Sequence, residues 1–233
     1  MSKLLLILIA ILPVFLICLF VYLKDDEKEP ISLLARLFIC GILSVSLVYL
    51  FTYSLQFLVP FFRVMPRSGY LRLFIYTFVS IALIEEVSKF IMAYIFGYKD
   101  KNFNQPYDIV IYTVFVSLGF ACLENIIYVL QNGYANAILR AITAVPIHAC
   151  YGIFMGYYLA LARLSKKHRV KRIQIKNMIF SIIVPVFLHT LYDYLIFLND
   201  PFFILVVMIV IVLMYYFSIK KLIQLSSVEV NHI

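Results

Sequence analysis

The chain has 233 residues, of which 64% are hydrophobic and only 14% charged, against about 25% charged in an ordinary soluble domain, and this excludes a soluble globular protein. The net charge of +8 is gathered unevenly: seven of the 20 Lys and Arg lie between residues 163 and 176, a short stretch between two apolar runs. That is the pattern of a cytoplasmic membrane loop and a surface drawn to anionic lipid, not of a nucleic-acid binder.

Apolar runs of about 20 residues are long enough to cross a bilayer of ~30 Å as helices. Lipid offers no partner to an open backbone group. The expected fold is therefore all-α, a polytopic transmembrane helical bundle in one domain over residues 1–233, with about seven spans and room for an eighth. In chain order the spans cover residues 4–23, 33–58, 73–96, 109–130, 137–161, 178–198 and 202–219. The first run lacks a small-residue cleavage site before the charged stretch 24–29, so it reads as a span and not as a signal peptide. Cys18, Cys40, Cys122 and Cys150 each sit inside an apolar run without zinc or redox spacing, and read as small buried side chains. His168 and His232 read as surface residues without a chemical role. Seven spans put 14 Lys and Arg on one side and five on the other, with Lys89 inside a span. The excess marks the cytoplasmic side, which leaves the N-terminus outside and the C-terminus inside.

The third span reads Ile84-Glu85-Glu86-Val87-Ser88-Lys89. Each ionisable residue costs roughly 2.5–3.5 kcal/mol on insertion scales, and apolar neighbours return only ~0.3–0.6 each. This helix is expected to turn its polar face to other helices. Glu85 and Lys89 are four apart and can pair. One lysine cannot neutralise two carboxylates, and paired carboxylates in low dielectric are a feature of acid–base sites. The fourth span carries Glu124-Asn125, the fifth Pro146-Ile147-His148, and the sixth Pro185 followed by His189 and Asp193. His189 and Asp193, four apart, share a face. Both prolines are expected to loosen a turn ahead of a histidine.

At 1.5 Å per residue from the cytoplasmic edge, Glu85 lies about 21 Å deep, Glu124 about 24 Å, His148 about 22 Å, His189 about 20 Å and Asp193 about 25 Å. Four helices thus place polar groups in one layer, toward the outer side. Such groups around a wet cavity can activate water, a glutamate taking its proton while histidine, asparagine or lysine stabilises an oxyanion. The same groups can bind a divalent metal such as zinc. There is no His-Glu-x-x-His run and no Gly-x-Ser-x-Gly run.

Glu85-Glu86-x-x-Lys89, Phe120-x-x-x-Glu124-Asn125, isolated His148 and His189-x-x-x-Asp193 together resemble the PrsW family of membrane-embedded proteases, over residues 73–198. More distantly they are similar to the CAAX prenyl protease and bacteriocin-processing group, which has paired glutamates followed by Arg, then Phe-x-x-x-His, then His-x-x-x-Asn. The resemblance implies a bacterial cell-membrane peptidase that makes the first, extracytoplasmic-side cut in a single-span anti-sigma factor, starting regulated intramembrane proteolysis in a stress response. It implies Glu85 as the leading base with Glu86 beside it, and His189 and Asp193 positioning or polarising the carbonyl. Glu124 departs from the wider group, where histidine stands, and His148 is the candidate to supply the missing imidazole. Lys89 and Asn125 support the site. A metal, if the chemistry uses one, would draw on Glu86, Glu124, His148 and His189. The rival readings of the same polar layer are a proton- or ion-coupled transporter and a scaffold in which it only fixes helix packing.

Overall fold

The computed structural model describes residues 3–25 and 27–229, and every regular element among them is helical. His232 and Asp26 lie outside the described residues. Helix α1 (Lys3–Lys24) and helix α2 (Ile31–Leu58) are followed by a 3-10 turn at Pro60–Arg63. The next helix, residues 70–98, changes its winding three times. It begins as α3 (Tyr70–Tyr76), widens to a π-helical stretch at Thr77–Leu83, tightens to α4 (Ile84–Ala93) and widens again at Tyr94–Tyr98. Then come α5 (Asp108–Ile142), α6 (Ala144–Lys167), α7 (Lys171–Phe197) and α8 (Pro201–Glu229). These elements correspond in order to the seven expected segments. By length and composition, five stretches are suited to crossing a membrane, with α5 and α6 read as one stretch; residues 70–98 are not among them. Together they make a helical membrane bundle.

The centre of the bundle is α5 against α6. Tyr112, Ile109, Leu118, Met155 and Leu159 are at most 2% exposed. Small residues permit the close crossings. A Cβ at Gly119 would overlap the Phe38 carbonyl of α2, and one at Gly152 would lie 2.9 Å from the Thr113 carbonyl of α5. Without a hydrophobic force between helices in lipid, such backbone approach and interhelical hydrogen bonds are what hold them. Thr113 Oγ1 donates to Gly152 O at 2.8 Å and Ser117 Oγ to His148 O at 2.6 Å. The outer rim, by contrast, is greasy: Leu8, Phe15, Tyr53, Phe187 and Val212 are all more than half exposed.

Four boundaries differ from the expectation. The fourth apolar segment does not end at residue 130. Helix α5 runs on to Gly133, where φ 78° and ψ −163° break it, a conformation that glycine adopts without steric cost. Residues 134–142 then form a separate helical stretch, and the next long helix starts at Ala144, not at 137. Pro146 consequently falls in the first turn of α6, where a missing N–H costs little, so of the two prolines ahead of a histidine only Pro185 lies inside a helix as expected. The basic stretch 163–176 is mostly helical, the end of α6 and the start of α7, with a turn at 168–170. Helix α8 continues ten residues past 219 to Glu229.

Candidate active site

The wide turn at Thr77–Leu83 delivers the paired glutamates. Thr77 Oγ1 donates to Leu73 O at 2.9 Å, a back-bond that competes with the helical ladder and bends it. Stretches of π-helix are rare and gather at functional sites. Immediately after it, α4 presents Glu85, Glu86 and Lys89.

Lys89, 1% exposed, is the hub. Its ammonium lies 2.7 Å from Glu86 Oε1 and 3.8 Å from Glu85 Oε2. The i,i+4 pair anticipated with Glu85 is therefore the looser one, and Glu86 is the closer partner. The same Nζ is 3.1 Å from His148 Nδ1 and 4.2 Å above the Phe120 ring. An ammonium carries donors only, so Nδ1 accepts and the ring proton resides on Nε2. Nε2 faces Glu124 Oε2 at 2.9 Å.

Glu124 has a second partner, one of the five Lys and Arg that the charge count assigns to the outer side. Arg140, from the stretch beyond Gly133, places Nη2 3.0 Å from Glu124 Oε2, and its Nε donates to Asn125 Oδ1 at 2.8 Å. Asn125 Nδ2 in turn donates to Ala10 O on α1 at 2.9 Å. Arg140 was missed because an arginine near a span end looks like a topological signal.

On the opposite flank, His189 Nδ1 lies 2.9 Å from Glu86 Oε1, and Nε2 lies 3.2 Å from Asp193 Oδ2 and 3.9 Å from Glu85 Oε2. The ring meets a carboxylate on each edge. Tyr151, one turn after His148 on α6, stacks on His189 with centroids 4.8 Å apart and meets His148 edge-on at 5.6 Å. It too was missed, since one tyrosine among 18 carries no signal of its own. The fold thus brings Glu85, Glu86, Lys89, Glu124, Asn125, His148, His189 and Asp193 into one network drawn from α4, α5, α6 and α7. Three buried atoms in it have no hydrogen-bond partner: Glu85 Oε2, Glu86 Oε2 and the Tyr151 hydroxyl.

Among the described residues no three His, Cys, Asp or Glu side chains converge so as to hold an ion. The Lys89 ammonium stands where a cation would have to sit, within 4 Å of both carboxylates and of His148. The arrangement does not fit a bound metal, because a divalent ion would face that fixed positive charge. What it does suit is proton transfer between a carboxylate and water, with imidazole and ammonium groups nearby to offset negative charge.

A helical membrane bundle that buries an acid–base cluster between four helices is the class of protein that fold and site define. Residues 29–219 match the profile of the PrsW family intramembrane metalloproteases. The chain is 38% identical to Protease PrsW of Geobacillus kaustophilus over 75% of its length and 72% of the relative's. It is 34% identical to Protease PrsW of Halalkalibacterium halodurans over 91% and 93% of the two chains, and 34% identical to Protease PrsW of Bacillus subtilis over 75% of each. The chain belongs to the PrsW family of intramembrane proteases. No solved structure matches it.

Proposed function

We propose that this protein is an endopeptidase in which Glu85 activates water, and that its substrate is a single-span membrane protein, an anti-sigma factor, cut first near the extracytoplasmic end of its span. The observation that carries the reading is the contrast between the two glutamates. Glu86 is fully buried, with Oε1 taken by both Lys89 and His189 and Oε2 unpartnered. Glu85 makes no hydrogen bond through its buried Oε2 and faces His189 and Lys89 from 3.9 and 3.8 Å. Glu86 acts as the anchor that orients Lys89 and His189, and Glu85, whose side chain is 13% exposed against 0% for Glu86, is the carboxylate that water can reach.

In the reaction Glu85 takes a proton from water as the water oxygen bonds to the scissile carbonyl carbon. The tetrahedral intermediate collapses with loss of the C–N bond, and the leaving amine receives the proton from Glu85. His189, anchored on Glu86 through Nδ1, turns its Nε2 N–H from Asp193 to the developing oxyanion. The Lys89–His148–Glu124–Arg140 chain keeps the other flank fixed. The basic end of the bundle faces the cytoplasm, with the N-terminus outside, which puts the glutamates nearer the outer surface.

Purified protein incubated with single-span candidate substrates tests this. Glu85→Gln is expected to lower kcat by about 10²–10⁴-fold, the usual worth of a positioned general base. Exhaustive chelation is expected to leave cleavage unchanged. Full activity of Glu85→Gln, or loss on chelation that zinc restores, would overturn the proposed chemistry.

A further inference from the structure

We infer that Tyr151 is a further catalytic residue, whose hydroxyl donates a hydrogen bond to the substrate's carbonyl oxygen as it becomes an oxyanion; this rests on the protease reading above. Tyr151 is 1% exposed, yet its hydroxyl has no hydrogen-bond partner. Buried polar groups are nearly always paired in folded proteins, so an orphan calls for an explanation. The ring that carries this hydroxyl lies at the cluster itself. The ring stacks on His189 at 4.8 Å, meets His148 at 5.6 Å, and has Lys89 Nζ 5.9 Å from its centroid.

The other two orphans there, Glu85 Oε2 and Glu86 Oε2, are acceptors. Two unmet acceptors and one hydroxyl make a set that a water and a carbonyl would complete together: the water donates to the carboxylate and the carbonyl accepts from the tyrosine. A donor idle in the resting site and engaged only when charge builds on oxygen acts on the transition state and not on ground-state binding. The hydroxyl keeps its proton throughout. The stack on His189 fixes the ring, so the donor's direction is set before substrate arrives.

The experiment compares wild type with Tyr151→Phe, which keeps the ring and its stack, on a cleavable single-span substrate. Tyr151→Phe is expected to lower kcat by about 10²–10³-fold, the measured worth of one oxyanion donor, with KM changed less than threefold. Its melting temperature should equal or exceed that of wild type, because a buried unpaired hydroxyl has been removed. A peptide aldehyde carrying the substrate's cleavage-site sequence should bind the variant more weakly by a similar factor, while the matching peptide alcohol, which lacks the reactive terminal carbonyl, should bind both alike. A kcat within twofold of wild type overturns the role of Tyr151 and leaves the protease reading standing. Absence of cleavage by wild type on every single-span substrate overturns both.

Discussion

Glu86 Oε1 accepts from Lys89 at 2.7 Å and lies 2.9 Å from His189 Nδ1, so a single carboxylate oxygen joins the two halves of the cluster. Charges buried this way help only while their partners remain. Removing one partner of a buried pair leaves the other uncompensated and typically costs about 3–5 kcal/mol. Lys89→Met is therefore expected to lower stability by that order, read as the thermal midpoint in detergent, and to release His148 from its fixed tautomer. Combining it with Glu86→Gln should cost less than the two changes summed, because neither leaves the other's charge exposed to low dielectric. Strict additivity in this double-mutant cycle would show that Lys89 and Glu86 are not coupled. The identities of these residues were legible beforehand, since ionisable groups inside apolar runs stand out. Which glutamate Lys89 prefers was not legible, because i,i+3 and i,i+4 spacings both permit contact and only the surrounding packing selects one.

Among the elements, the stretch of residues 134–142 is bounded by the two weak points of the α5–α6 connection. Gly133 departs from helical geometry at one end, and Thr143, with φ −118° and ψ −82°, at the other. Between them three ties hold it down: Arg140 to Glu124 and Asn125, buried Ala137 against Ala10 and Val129, and Ile142 O accepting from Tyr215 at 2.8 Å. Hydrogen bonds to charged groups are worth about 1.5–3 kcal/mol each. Arg140→Gln should thus raise amide exchange across residues 134–142 on the order of tenfold or more, and should lower activity by freeing Glu124 and His148. Unchanged exchange would mean that the arginine does not hold this stretch. Hydropathy marked a gap at residues 131–136, which holds Gly133, but not the second break at Thr143. The run 137–161 reads as one span although it contains Arg140. The π-helical turns at Thr77–Leu83 and Tyr94–Tyr98 were equally silent, since a shift from one hydrogen-bond ladder to another leaves the composition of a helix unchanged.

Across the whole molecule, the end opposite the glutamates is tied together by polar contacts between distant segments. Arg36 pairs with Asp100, Arg163 lies 4.9 Å over the Phe103 ring, and Tyr112 donates to Glu29 Oε2 at 2.7 Å. Glu29, with Asp25, docks the α1–α2 connection onto the start of α5, where Asp108 accepts from the backbone of Asn104 and Gln105. Burial pushes the Glu29 carboxyl up from an ordinary 4.5 to about 7. The folded value exceeds the unfolded one, so the stability this group contributes is complete below the unfolded value and is lost as pH rises through the folded one. The thermal midpoint of the wild type should fall between pH 4.5 and 7 more steeply than that of Glu29→Gln, whose side chain stays neutral; parallel curves would remove Glu29 from the account. By itself the sequence determined that this is a helical membrane protein, where its apolar segments lie, and which ionisable residues are buried in them. It could do so because length, hydropathy and the cost of a charge in lipid are local quantities. Only the tertiary structure decided that Lys89 serves Glu86 before Glu85, that Arg140 reaches back to Glu124, and that Tyr151 lies against both histidines. The network they belong to joins α4, α5, α6 and α7, with Glu86 and His189 meeting across 103 residues, and the geometry that sets it is the packing of helices, not the character of any one segment.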